Sequence, residues 1–201
     1  MSSAYGTIST PTSVQDVSSL LPIKLESKGN HFIFIDRVDQ NDEEQLSKLH
    51  EMLNHEIRNG NSYPQEAELT REQWKAYFLS AEAFVSKNEE GEVMGTFYIK
   101  PNFPGRCSHI CNGGFITAIN HRRKGAAKAM AQAFLILAPA LGYKASMFNL
   151  VFETNVASVE LWKSLNFQQI GRVPNAGRLK NARGEEQFVD ALIFYNDFQN
   201  K

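Results

Sequence analysis

No stretch of this chain approaches the run of roughly 18 to 20 apolar residues that a membrane-spanning helix needs. Cysteine is nearly absent: Cys107 and Cys111, both inside "RCSHIC", are the whole supply. Usage that sparse excludes a disulfide framework and fits a reducing compartment. With His109 between them the two thiols would crowd three metal ligands into one short segment with no fourth at the usual spacing, so no metal site is expected. An excess of charge of one sign is also missing. Lys and Arg total 21 against 22 Asp and Glu, a net charge of -1, which gives no global field toward nucleic acid or anionic lipid. Any anion site must be local. The opening "MSSAYGTISTPTSVQDVSS" lacks Arg, Lys and an apolar core, so neither a secretory signal nor a basic transit peptide is expected, and the cytoplasm is the default location. Neither GxxxxGK[ST] nor GxGxxG occurs, and no internal repeat is evident.

What is present suits one domain. The 201 residues are enough to bury a sizeable core. Residues 1–30, rich in Ser, Thr, Gly and Pro, are expected to form a flexible or loosely packed arm, with order starting near "HFIFIDRV" and one domain over 31–201. That run reads as a strand. "DEEQLSKLHEMLNHEIRNG" then reads as a helix, with Leu46, Leu49 and Leu53 at helical spacing and Gly60 as its stop. A second helix, "TREQWKAYFLSA", carries Thr70 as cap and Gln73 at the capping-box position. Between them "NSYPQEAE" is a loop holding Tyr63. "AFVSK" and "EVMGTFYIK" flank "NEEG" as a β-hairpin. Downstream, strand "GFITAI", a helix, strand "ASMFNLVF", helix "ASVELWKSL" and strands "FQQIGRV" and "FVDALIFY" predict a βαβ crossover in a mostly parallel region.

The chemistry concentrates in "NHRRKGAAKAMAQAFL". Arg122, Arg123 and Lys124 precede Gly125, Ala126 and Ala127, whose small side chains allow a ligand close to the backbone. Free amides at a helix N-terminus bind phosphate, while basic side chains are unfavourable at that end, so three of them there point to a bound pyrophosphate. A solvated basic helix start with alanines packed on the sheet is the alternative. Alternation along "SMFNLVFETN" sets Met147, Asn149, Val151 and Glu153 on one face, which makes Asn149 a polar group on an otherwise mostly apolar strand. Asn112 stands just ahead of the facing strand. Two such carboxamides could orient an amino acid, or each could be an ordinary hydrogen-bonded residue.

Arg122-x-x-Gly125-x-Ala127 resembles the pyrophosphate-binding motif of the GCN5-related N-acetyltransferase (GNAT) superfamily. "ETNVASVELWKSLNFQQIG" resembles the superfamily's second signature, with Asn155, the short helix and Asn166-Phe167 in order. Over about Tyr63 to Asp190 the chain is similar to the fungal branch that acetylates L-azetidine-2-carboxylate, a toxic proline analogue. The resemblance implies an α/β fold with a mixed central sheet, splayed fourth and fifth strands, and flanking helices. It implies acetyl-CoA as cosubstrate and a small-molecule amine as acceptor, and leaves room for a homodimer. Backbone groups of Thr117, Ala118 and Ile119 would take the pantetheine, and Arg122 to Ala127 the pyrophosphate. Asn112 and Asn149 would contact the acceptor, and Tyr63 would wall its pocket or anchor the loop. Asn155 would lie by the thioester as oxyanion donor, cap its helix, or do both. Many members place a tyrosine acid where this chain has Trp162, a poor acid, so Trp162 is assigned to cofactor packing. Glu153 and His109 are weak candidates for the base, with proton relay through water as the expectation. Acetylation of another small amine, and non-catalytic sensing of acetyl-CoA, are the alternatives; acetylation of basic protein tails is disfavoured by the charge balance.

Overall fold

In the computed structural model, which describes residues 8, 15–27 and 29–199, the helices begin and end where local chemistry dictates. Helix α1 (Glu43–Asn59) is capped by Asp42, whose side chain accepts from the Gln45 amide, and it stops at Gly60 with φ +65°. Its buried stripe is Leu46, Leu49, Leu53 and Ile57. Helix α2 (Arg71–Phe78) opens with a reciprocal capping box between Thr70 and Gln73 and buries Trp74 and Phe78. Both helices cover one face of the sheet, where they meet Val38, Val85, Tyr98 and Ile116. Alanine-rich helix α3 (Ala126–Ala140) and helix α4 (Val156–Ser164) cover the other, meeting Phe97, Ile99, Cys111 and Phe148.

The sheet comprises β1 (Ile23–Glu26), β2 (Phe32–Arg37), β3 (Glu82–Lys87), β4 (Val93–Pro101), β5 (Ile110–Thr117), β6 (Ala145–Phe152), β7 (Gln168–Lys180) and β8 (Glu186–Asp197). Their spatial order is β1-β2-β3-β4-β5-β6-β8-β7. The expected parallel region shrinks to one contact: β5 and β6 pair in parallel at Ile110–Ala145 and Cys111–Ser146, and every other ladder is antiparallel. The crossover through α3 was read correctly, but β8 returns between β6 and β7, so no second parallel pair forms. Past Cys111 the two parallel strands separate, which is the splay. An added first strand makes the splayed pair β5 and β6 here.

Order also begins earlier than composition suggests. Val17 is 1% exposed, and β1 pairs antiparallel with β2. "IKLE" is too short to announce itself, and its order comes from the neighbouring strand. The first part of the expected arm falls mostly outside the described residues. No described helix is long and apolar enough to cross a membrane.

Candidate active site

Alternation along β4 puts Phe97 and Ile99 toward α3, and Tyr98 toward α1 and α2. Lys100 and Asn102 share the face of Tyr98. On β5 the residues opposite Lys100 and Tyr98 are Asn112 and Gly114, on that same face. A β-carbon on Gly114 would run into the Tyr98 ring, so glycine is what lets that ring lie flat on the strand.

The three carboxamides meet where the splay opens. Asn102 donates from Nδ2 to Asn149 Oδ1 at 2.9 Å and accepts on Oδ1 from Asn149 Nδ2 at 2.6 Å. Asn112 Nδ2 also donates to Asn102 Oδ1, at 3.2 Å, while its own Oδ1 accepts from the Gly113 amide at 2.8 Å. Asn112 and Asn149 therefore do come together, but through Asn102, which sequence reasoning passed over although its alternation with Tyr98 and Lys100 was readable. Each carboxamide carries two N–H donors and uses one within the cluster. One N–H on each has no partner inside the cluster. Asn112 also lies inside β5, two residues from its start, because the strand extends back to Ile110.

Asn149 reaches the cluster by ordinary alternation, opposite Phe148, and β6 becomes irregular just after it. Phe148 pairs with Phe194 and Val151 with Leu192, so β6 carries one extra residue against β8. The expected alternation holds through Phe148 and then reverses: Val151 joins Phe148 in the core toward α3, and Phe152 packs on the opposite side with Leu179, Val189 and Ala191. Asn149 and Val151 accordingly do not share a face, and Glu153 lies past the end of β6. It pairs with Arg172 at 2.7 Å, beside Asp190. These residues line an open concavity of about 370 Å³ at the end of β6, where the Arg172 guanidinium bridges the two carboxylates. His109 is exposed and lies 3.2 Å from the Arg106 carbonyl. Neither base candidate belongs to the carboxamide cluster.

Helix α3 differs from the other three. Asp42, Thr70 and Asn155 cap α1, α2 and α4, whereas no side chain caps α3. Its first intrahelical bond runs from the Ala129 amide to Gly125 O, leaving the amides of Ala126, Ala127 and Lys128 without an acceptor among the described residues. Gly125 has φ +89° and Arg123 φ +65°, a tight turn that aims the amides outward. Arg123 and Lys124 are exposed and have no ion-pair partner among the described residues, as a waiting anion site requires. Arg122 is the exception: its guanidinium is paired with Glu56 of α1, so it ties the loop to α1 instead of facing the cradle. From behind, Ser27 Oγ donates to Lys124 O at 2.8 Å.

Along the splay, the Ala118 amide donates to Met94 O and its carbonyl accepts from the His121 amide, so both its backbone groups are engaged. Backbone direction alternates along a strand, which turns Thr117 toward the open side. Ile119 starts a 3₁₀ turn and is exposed. The side of the splay toward α3 is paved by aromatics. Trp162 is buried, its ring centroid 5.0 Å from Phe115 and 4.5 Å from Phe148. Its indole N–H donates to Ser158 Oγ at 3.0 Å, which makes it a core residue with its donor already engaged. Asn155 accepts from the Ser158 amide at 3.3 Å through Oδ1, leaving Nδ2 free to donate. Tyr63 packs against the core under α1 and α2, and burial pushes its hydroxyl pKa well up, so it is a neutral anchor of the loop. That loop meets the β7–β8 hairpin, where Lys180 N donates to Gly60 O at 2.8 Å and Arg178 pairs with Glu66 at 2.6 Å.

Residues 46–167 match the acetyltransferase (GNAT) family. Over 176 residues the chain is 42% identical to "N-acetyltransferase aca1" of Schizosaccharomyces pombe, covering 79% of this chain and 83% of that protein. Among solved structures, a GCN5-related N-acetyltransferase from Kribbella flavida superposes with a TM-score of 0.75 at 26% identity, over 82% of this chain and 97% of that one. A phosphinothricin acetyltransferase from Sinorhizobium meliloti, solved with acetyl-CoA, gives 0.72 at 16% identity over 82% and 88%, a likeness of fold.

Proposed function

Because the chain belongs to the acetyltransferase (GNAT) family, we propose that it transfers the acetyl group of acetyl-CoA to the amine of a small amino or imino acid, with L-azetidine-2-carboxylate or a related proline analogue as acceptor. The observation that carries the acceptor class is the cluster of Asn102, Asn112 and Asn149, which gathers hydrogen-bond donors and no carboxylate where the splay opens. Such a group suits a carboxylate-bearing acceptor and gives a polycation nothing to hold. Detoxification of a proline analogue follows as the role.

The bare amides of Ala126 and Ala127, with Arg123 and Lys124, would hold the cosubstrate's pyrophosphate. Thr117 and Ile119 would meet the pantetheine amides at the open edge of β5. Acetyl-CoA supplies an activated thioester. Asn155 Nδ2 would donate to the oxygen that becomes negative as the amine adds, while Oδ1 keeps its cap on Ser158. The acceptor ammonium must lose a proton before attack, and with Glu153 and His109 outside the cluster that proton leaves through water.

Incubating the protein with acetyl-CoA and a panel of proline analogues, common amino acids and amines without a carboxylate tests this reading by product mass and thiol release. An acetylated imino or amino acid is expected. Turnover confined to amines without a carboxylate, or no thiol release from any acceptor, as in a sensor, would overturn it.

A further inference from the structure

Lys100 is a lysine with no acid beside it. Its ammonium lies 4.2 Å from the ring centroid of Tyr77 and 4.1 Å from that of Tyr98, and donates to Tyr77 O at 3.2 Å. The two rings meet edge to face at 5.8 Å, with their hydroxyls 3.2 Å apart. No carboxylate pairs with Lys100 among the described residues, and the residue is partly buried.

Bonding to the Tyr77 carbonyl, in the last turn of α2, is a role that lysine often plays at helix C-termini. It does not explain the placement. A capping lysine gains most with its head in water, whereas this one is drawn between two aromatic rings. Tyrosine faces attract a cation but do not neutralise it, and withdrawing an unpaired charge from water is costly. One of the three ammonium hydrogens is used on Tyr77 O, and two remain for another acceptor.

What lies next to it supplies the reason. Directly opposite on β5, on the same face, is Asn112, and two residues further along the chain, just past the end of β4, is Asn102. Lys100 and the carboxamides thus gather on one face, at the end of β4 and the start of β5, the face on which the Tyr63 loop packs. All of them are donors.

We infer that Lys100 is the anion-binding subsite of the acceptor pocket: its ammonium and the free N–H groups of Asn102, Asn112 and Asn149 together take the carboxylate of the incoming amino or imino acid. The assignment rests on the acceptor class proposed above and adds to it the group that distinguishes an acid from its neutral analogues. The Tyr77 and Tyr98 rings and the Tyr77 carbonyl hold the ammonium itself, so the charge keeps its place when no ligand is bound.

The test compares L-azetidine-2-carboxylate with its primary carboxamide, at saturating acetyl-CoA, in wild type, Lys100→Met and Lys100→Arg. Wild type is expected to prefer the acid. Lys100→Met should raise the acceptor KM for the acid by about tenfold or more and change that for the carboxamide by less than about twofold, as loss of a charge-assisted bond predicts. Lys100→Arg should keep most of the preference. Unchanged acetyl-CoA affinity shows that the fold is retained, and Lys100→Gln gives the same ratio if the methionine variant does not fold. Equal effects on acid and carboxamide, or a wild type that does not favour the acid, would overturn the subsite while leaving the acetyltransferase reading intact. Wild type inactive on every amino and imino acid would overturn both, and that result is visible before any variant is made.

Discussion

Asn102 and Asn149 exchange hydrogen bonds in both directions, Nδ2 to Oδ1, joining the end of β4 to the bulge of β6 across the strand that lies between them. The pair ties the two strand segments together across the splay and leaves one N–H on each carboxamide outside the exchange. Asn102→Ala removes both of these bonds and the one from Asn112 and strands the Asn149 amide, so a stability loss of about 1 to 3 kcal/mol is expected. The acceptor KM should rise by about tenfold or more with acetyl-CoA affinity unchanged. Weaker acetyl-CoA binding in that variant would place the cluster on the cofactor side.

Gly125 is fixed by two constraints. Its φ of +89° disfavours any side chain, and a β-carbon there would collide with Ser27 Oγ. Gly125→Asp should raise the KM for acetyl-CoA by about tenfold or more through bulk and charge at the cradle. Gly125→Ala should cost about 1 kcal/mol from backbone strain plus the collision, and adding Ser27→Gly should recover the steric part alone. Additive losses in the double variant, read from thermal melts, would show that Ser27 does not constrain the turn.

Asn155 has one oxygen in its cap and a free amide nitrogen. Asn155→Asp keeps the cap acceptor and removes the donor, so the protein should fold as stably as wild type to within about 1 kcal/mol. Turnover at saturating substrates should fall by about a hundredfold or more. Full activity with an unchanged melting temperature would leave Asn155 as a cap alone.

Trp162 makes its one polar contact with Ser158 inside α4. Trp162→Phe should therefore lose about 1 to 2 kcal/mol in stability, from the missing bond and the unfilled volume, and retain most of its kcat. A collapse in kcat at normal acetyl-CoA affinity would instead assign the indole to the chemistry.

Burial lowers the pKa of Lys100 from 10.5 to about 8. The unfolded chain keeps this proton up to the ordinary value, so between about pH 8 and 10.5 it binds more protons than the folded chain and stability gained from this group rises with pH. Below pH 8 the charged lysine is a standing cost. It sits over the rings of Tyr77 and Tyr98, with no acid paired to it among the described residues. Lys100→Met should therefore melt a few degrees above wild type at pH 7, by roughly 3 °C, with the gap closing toward pH 10.5. A variant less stable than wild type at pH 7 would mean that the ammonium is already compensated.

The sequence by itself determined the helices and their caps, because Asp42, Thr70-x-x-Gln73 and Asn155 act on amides within three residues of themselves. It determined the uncapped start of α3 for the same reason: Gly125 and the alanines set one turn and one helix start. Long-range pairing was beyond it. Where β8 inserts, how little of β5 and β6 is parallel, and that "IKLE" becomes a strand are decided by neighbours distant in the chain. The bulge that puts Val151 on the opposite face from Asn149 is set by register against β8, which no local pattern carries. Arg122 shows the same division. Its place in a basic run suggested phosphate, but Glu56, far away in sequence, claims its charge. Lys100 is ordinary as a letter in "FYIKPN", and only packing, which sets two tyrosine rings beside it and no acid, makes it a charge awaiting a partner.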